Sequence, residues 1–539
     1  MAVSGSIANE KDEVPVLIAG GGMVGLSAAT FLAQQGIRSV AIERLKASSP
    51  LPRAAFFHMR TLEMFRSVGI EERVREQSKQ DFVPEGAIVA LDCLAGRKLA
   101  DIIPNLNEGV EALSPCRRLF LNQPSLEPIL RERAREAGAT VIQGAEVTAV
   151  QQDTSGVRVT VKDLATGDQR ELHSKYLIAA DGGHSRVRDL LGIGYEGRGA
   201  FSNSLTIYFR ADLSPWIKDN AWSIIYVNNA ALGGFFRMNR AGNAGFLAVN
   251  TVGDPKVDPQ AASNVATDLS EARLIELIRS GVGVPDLDVK IDGYTRWRAT
   301  ADVAQRFQSG RIFICGDAAH LMPPNGGFGG NTGIHDAHNL AWKLTHALNG
   351  HAGPRLLDTY ESERKPVAKF TVEQAFSRYV ARTAPWLQSS QQTAPLENDF
   401  DIELGYLYGS PHAVHADPRT TQGMPGSRAP HLWLTRKGER ISTIDLTGHY
   451  VLLAGCDGEQ WMQAARAAAD QNAGLRLDAW CIGKDLEEAG DARCTQAFGI
   501  TNTGATLIRP DGFVAWRSAA EAQDATSDLT EALRRSLGH

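Results

Sequence analysis

The chain is 539 residues long, enough for about three domains. With 43% hydrophobic and 22% charged residues, it has the composition of an ordinary soluble globular enzyme. Its net charge of −6 argues against a nucleic-acid partner, and no apolar run approaches the ~20 residues needed to span a bilayer. The first 13 residues are polar and lack the apolar region of a signal peptide. Residues 14–19 form a short apolar run, as a buried parallel strand would. Gly20, Gly22 and Gly25 then fit the GxGxxG pattern. Met23 and Val24 open a helical stretch that stops at Gly36, and a second strand ends at Glu43, with Arg44 after it. Glycines there permit a tight turn and close approach of a pyrophosphate. The helix amino terminus offers N–H groups to phosphates, and an acid about 20 residues on suits a ribose. This is an α/β, Rossmann-type dinucleotide site.

Further along stand Pro52-Arg53-Ala54, Arg60-Thr61-Leu62-Glu63, Gln123-Pro124-Ser125-Leu126-Glu127 and Asp181-Gly182-Gly183-His184-Ser185-Arg186-Val187-Arg188. Strand-like runs follow at 205–210, 222–227, 233–238 and 245–249, separated by turn signals. Trp222, Tyr226, Phe235, Phe246 and Trp297 lie in or near these runs; each is a candidate pocket residue, though such a residue is more often an ordinary core or sheet aromatic than a ligand contact. The run Cys315-Gly316-Asp317-Ala318-Ala319-His320 leads through Pro323 and Pro324 to Gly326-Gly327-Phe328-Gly329-Gly330-Asn331. That loop opens a helix with core spacing at Ile334, Ala337, Ala341, Leu344 and Leu348. Its exposed N–H groups favour an anion.

A helical segment over 355–379 contains Pro366, which should kink or break it. Residues 389–430 read as a long polar linker with local order near Leu404 to Tyr408. Residues 431–539 show a strand, an alanine-rich helix, a second strand and a hairpin turning at Pro510-Asp511-Gly512. The six cysteines (Cys93, Cys116, Cys315, Cys456, Cys481, Cys494) include no CxxC pair. That pattern predicts a reducing, cytoplasmic setting and no metal site.

These motifs, in this order, make the chain resemble the class A FAD-dependent aromatic hydroxylases, the family of p-hydroxybenzoate hydroxylase and phenol 2-monooxygenase. The resemblance covers nearly the whole chain. It implies an FAD-binding domain over 14–184 and 309–388, a substrate-binding β-sheet domain over 185–308, and a carboxyl-terminal thioredoxin-like domain over 431–539. Cys456 stands alone after that domain's first strand, so disulfide exchange is not implied. The cofactor contacts implied are the first glycine loop, Glu43, Arg44, Arg53, Gln123, the backbone near Val147, Asp181, Asp317, Pro324, Gly330 and Asn331. NADPH or NADH would supply hydride, and O2 would be activated as a flavin hydroperoxide that hydroxylates a small aromatic substrate of phenolic or polyketide type. The protein's part is positioning and exclusion of water. His58 is a candidate proton relay, though a lone histidine beside Phe56 and Phe57 is more often a packed or surface group, and the base is left unassigned. A reductase, a dehydrogenase or a halogenase could use the same fold; the WxWxIP string of halogenases is missing. No membrane partner is expected, and a homo-oligomer held through the carboxyl-terminal module is compatible with the pattern.

Overall fold

The computed structural model describes residues 13–48, 54–253, 265, 267, 269–389, 391–410, 413–472, 474–488 and 493–539. Arg53 lies outside them. Two eight-stranded sheets and a smaller four-stranded one organise the chain. In the first sheet, Thr140–Gln143, Ser39–Glu43, Val14–Ala19, Gln169–Ala179 and Ile312–Ile314 run parallel in that spatial order. The strands Val14–Ala19 and Ile312–Ile314 are almost wholly apolar because helices cover them. Helix Met23–Gln34 packs between helices Gln123–Glu136 and Phe328–Leu348. This layering is what brings the two glycine-rich loops, distant in sequence, to one end of the sheet.

The second sheet runs in the order His320–Leu321, Lys290–Ala304, Tyr195–Arg210, Ala244–Val252, Leu232–Met238, Trp222–Asn228, Ala87–Leu91, Lys98–Ile103. The last two strands precede residue 185, so this sheet is not confined to 185–308 as expected. Ala87–Leu91 pairs in parallel with Trp222–Asn228, a long-range pairing that no local pattern announces. Side chains alternate across the sheet with period two. Leu205, Ile207, Phe209, Ile225, Val227, Phe236, Leu247 and Val249 join a core with Leu274, Leu277 and Ile278 of helix Glu271–Val282. Their neighbours Ser204, Thr206, Tyr208, Tyr226, Phe235, Arg237 and Phe246 face a cavity.

Helix Thr359–Arg382 passes through Pro366 unbroken, contrary to expectation. Proline's missing hydrogen bond falls on the carbonyl of Ser362, an exposed residue, where water can take its place. Buried ion pairs of Glu363 and Arg364 hold the turn before it. The expected linker is also packed rather than solvated. Helix Asp399–Glu403 buries Ile402 and Glu403, and Leu404, Tyr406 and Tyr408 are all core residues.

In the carboxyl-terminal sheet, Tyr450–Ala454 pairs in parallel with Leu477–Cys481 and antiparallel with Ala505–Ile508, which forms a hairpin with Val514–Ser518. Helices Glu459–Gln471 and Ala525–Ser536 pack together on it.

Candidate active site

A cavity of about 1350 Å³ opens where the two large sheets meet. Its walls come from the first glycine loop, the second glycine loop and the inner face of the second sheet. Gly20 makes the turn at φ +101°, and a Cβ there would lie 2.2 Å from the Ala180 carbonyl oxygen. A Cβ on Gly25 would lie 1.9 Å from the Gly20 carbonyl oxygen, so helix and strand touch backbone to backbone. Gly22 differs: a Cβ there meets only Glu127 Oε1 at 3.8 Å and otherwise points into the cavity. Gly22 caps helix Met23–Gln34 without a side-chain hydrogen bond, leaving the first N–H groups of the helix turned toward that space. A pyrophosphate fits this cradle.

Other expected contacts divide into those on the wall and those behind it. Met23, Val24, Arg44, Gln123, Asp317, Pro324 and Gly330 line the cavity along with Gly22. Gln123 donates through Nε2 to Glu127 Oε1 at 2.7 Å. Glu43 sits at the strand tip, where its carboxylate accepts from the Gly21 N–H at 2.7 Å and the Leu45 N–H at 2.8 Å. Asp181 faces helix Arg186–Leu190 instead of the cavity, accepting from Ser185 Oγ at 2.5 Å and the Val187 N–H at 3.1 Å. Val147 is buried in strand Ala145–Gln152, paired with Val161, because the chain leaves the parallel sheet after Gln143. Asn331 acts as a clamp: its Oδ1 accepts from the His58 N–H at 3.0 Å and Thr61 Oγ1 at 2.6 Å, and its Nδ2 donates to the carbonyls of Phe56 and Gly327.

His58 belongs to the same clamp. It is buried, its Nε2 lies 2.9 Å from the Gly326 carbonyl, and Phe56 and Phe328 meet its ring edge to face. Burial lowers its pKa, so the ring is neutral and holds the second glycine loop. His58 is absent from the cavity wall, and the packing reading is the one the geometry supports.

A buried charge network fixes the loop from below. Asp336 bonds His320 Nε2 at 2.7 Å, Arg364 Nε at 2.7 Å and the Gly316 N–H at 3.1 Å. The charge on Arg364 keeps the Asp336 carboxylate ionised despite its burial. Asp317, next to Gly316, is thereby presented to the cavity. On the facing side Tyr195 donates to the Asp317 carbonyl at 3.0 Å and also bonds Arg188, whose guanidinium stacks 4.2 Å over the Tyr195 ring. Tyr195 was not among the sequence candidates, whereas Arg188 closes the fingerprint that runs from Asp181. Ser185 caps helix Arg186–Leu190 by accepting from the Arg188 N–H, which fixes Arg188 in the first turn.

Of the aromatic pool, Tyr226, Phe235, Phe246 and Trp297 line the chamber, and Trp222 does not. A register shift between Trp222 and Ile224 in the pairing with Ala87–Leu91 turns Trp222 to the opposite face, against the second core. Phe235 stands 5.7 Å from Tyr226 and 5.9 Å from Phe246, ring centre to ring centre. Trp297 Nε1 donates to Thr206 Oγ1 at 3.0 Å. Alternation along the strands would have added Ser204, Thr206, Tyr208 and Arg237 to the pool. Arg237 is 7% exposed, its guanidinium lies 4.5 Å from the Phe246 ring centre, and it donates to Asn122 Oδ1 at 3.3 Å. Burial pushes its pKa down to about 9, which still leaves it charged at neutral pH. Asp399 and Glu403, from the segment expected to be a linker, complete the wall. Both are held by arginines: Glu403 by Arg118 Nε at 2.9 and 3.0 Å, and Asp399 by Arg378 at 2.7 Å.

A glycine-bordered helix start, an acid-bearing second loop and an aromatic chamber share one cavity, the arrangement of a flavoprotein. Residues 13–375 match the family described as FAD binding domain, and residues 422–539 match the aromatic-ring hydroxylase carboxyl-terminal domain. The chain belongs to this family of FAD-binding aromatic-ring hydroxylases, and it is an FAD-dependent monooxygenase. It is 48% identical to 4-methyl-5-nitrocatechol 5-monooxygenase from Burkholderia sp, covering 97% of this chain and 98% of that one. It is 32% identical to 2,4-dichlorophenol 6-monooxygenase from Delftia acidovorans, over 97% and 98% of the two chains. A crystal structure of aklavinone-11 hydroxylase with FAD and aklavinone superposes with a TM-score of 0.91, at 33% identity, over 98% of this chain and 100% of that one. Among the described residues no helix is long and apolar enough to cross a membrane.

Proposed function

We propose that this enzyme hydroxylates a substituted phenol, with NADPH or NADH as hydride donor and O2 as oxygen source. The supporting observation is the shared cavity, in which the glycine cradle at Gly22 opens directly into the chamber of Tyr226, Phe235, Phe246 and Trp297. The relatives named for nitrocatechol and dichlorophenol favour a compact, electron-poor phenol over a polyketide.

Bound FAD supplies the hydride-accepting and oxygen-activating chemistry. The residues of the chain do the rest. N–H groups from Gly22 to Val24 hold the pyrophosphate, Glu43 the adenosine ribose and Asp317 the ribityl chain. Gln123 and Arg44 border the same passage. The loop from Pro324 to Gly330 offers backbone N–H groups to the negative edge of a reduced ring system. Its shape is set by His58 and Asn331 behind it. The aromatic chamber orients the substrate ring and keeps water from the reacting atoms. Arg53 belongs to the same proposed cofactor set.

Residues 431–539 are read as a thioredoxin-like module on the basis of their strand–helix–strand unit followed by a hairpin and helix. Its role in this reading is docking, including contacts in a homo-oligomer, and the six free cysteines suit a reducing cytoplasm. The test is direct. Purified enzyme with FAD should oxidise NAD(P)H faster when 4-methyl-5-nitrocatechol or 2,4-dichlorophenol is added, with hydroxylated product matching the NAD(P)H consumed. NAD(P)H oxidation that yields only peroxide with every phenol tried would remove the hydroxylase reading.

A further inference from the structure

The chamber is apolar on most of its sheet wall, yet strand Leu232–Met238 carries Arg237 into it, two residues from Phe235 and on the same face. The guanidinium is fixed on two sides, by its contact with Phe246 and by its hydrogen bond to Asn122. Asn122 is the amino-terminal cap of helix Gln123–Glu136, the helix that places Gln123 beside the cofactor passage. Arg237 therefore sits at the junction of the substrate sheet and the cofactor-bearing core, with a planar fork of donors at the chamber wall. Such a fork binds oxygen anions in pairs and is most effective where water is excluded.

We infer that Arg237 determines specificity by binding the ionised oxygen of the phenol, so that the substrate enters as its phenolate. The inference rests on the phenol-hydroxylase reading and adds the charge state of the substrate to it. Electron-withdrawing nitro and chloro groups, present in the names of two relatives, acidify a phenol and spread the charge over the ring. A phenolate is also the more electron-rich nucleophile toward electrophilic oxygen. Binding it ionised leaves no proton to be removed in the chamber, which agrees with His58 standing behind the wall.

Other charged or titratable groups line the same cavity, among them Arg44, Arg188, Arg296, Arg298 and Asp317. Tyr208 lies on the same wall, 5.9 Å from Phe246. Tyr226, on the neighbouring strand, is held protonated by burial and accepts from Asn325 Nδ2 at 3.3 Å. Gln123 bonds Glu127 on the helix behind Arg237. Arg382, Asp399 and Glu403 also face the cavity, and the two acids are taken by Arg378 and Arg118.

The experiment uses the FAD-loaded enzyme and calorimetric binding of two probes, 4-methyl-5-nitrocatechol and its fully O-methylated ether, which cannot ionise. Wild type should bind the catechol more tightly as pH rises through the catechol's own first ionisation, and bind the ether equally across that range. Arg237→Met should weaken the ionised catechol by about 30-fold or more, as loss of one partner in a buried charged contact does. The same variant should change ether binding by less than about threefold and remove the pH dependence, while Arg237→Lys should recover part of the loss. FAD content and melting temperature of each variant establish that it is folded. Equal weakening of both probes in a folded, FAD-loaded Arg237→Met, or pH-independent catechol binding in wild type, would overturn the inference. Either result leaves the hydroxylase reading standing if phenols still yield product, whereas failure of every phenol to do so would count against that reading instead.

Discussion

At the seam between the carboxyl-terminal sheet and the FAD-binding core, acids and bases answer one another within the protein. Glu63 lies between Arg60 and Arg428, and it also accepts from Ser114. Glu363 binds Lys343 and Arg509, and Arg509 reaches Asp511. The cavity wall carries Arg44, Arg188, Arg237, Arg296, Arg298 and Arg382 among glycines and aromatic rings, with Asp317, Asp399 and Glu403 as its acids. Charge in the first region docks one part of the chain onto another; charge in the second borders the space that a ligand would enter. The two should respond to substitution in different observables.

The largest effect is expected at the seam. Glu63→Ala leaves Arg60 and Arg428 buried without their carboxylate and should cost about 3–5 kcal/mol of stability. Denaturant unfolding would measure it, and FAD affinity of the folded fraction should barely move. A loss of FAD affinity without loss of stability would erase the distinction between the regions. Gly22→Val is the converse case. Its backbone, at φ −76° and ψ −173°, admits any residue, and its Cβ projects into the cavity. The variant should fold with an unchanged apoprotein melting temperature and bind FAD at least tenfold more weakly, about 1.4 kcal/mol. Gly25→Val, whose Cβ would strike backbone, should instead fail to fold; equal behaviour of the two glycine variants would contradict the site geometry.

Acid should also weaken the seam. Burial lowers His346 and His431 to about 4 and His338 to about 3, from an ordinary 6.5. The unfolded chain binds these protons first, so stability is full above pH 6.5 and falls as pH drops toward 4. Glu63, held down to about 2 against burial by Arg428 and Arg60, adds a second loss from its ordinary 4.5 downward. Denaturant midpoints that stay flat between pH 6.5 and 4 would show these histidines to be solvated. The smallest effect is expected at Trp222, which faces the second core. Trp222→Phe should leave substrate KM within about twofold, since the change is a partly buried aromatic swap away from the chamber, while Phe246→Ala should raise KM severalfold.

What the sequence made legible follows the range of the interactions concerned. The first glycine loop, its helix and Glu43 are local, and each lies where the spacing predicted. Trp222 was misplaced because a single register shift, set by a strand over a hundred residues earlier, reverses the alternation. Arg237 shares the face of Phe235 and could have been read from period two; as a charged residue on a strand it suggests solvent. Helix Asp399–Glu403 was hidden by its polar surroundings, with Ile402 and Leu404 too few to mark a core. Asp181 and Asn331, expected from the family resemblance as cofactor contacts, make their hydrogen bonds to the protein's own loops.

Labelled oxygen gives the most direct measure of the central claim. Turnover of a phenol under heavy-isotope dioxygen should place one labelled atom in each product molecule, with none derived from labelled water. Product carrying water-derived oxygen, or no oxygenated product while NAD(P)H is consumed, would contradict it.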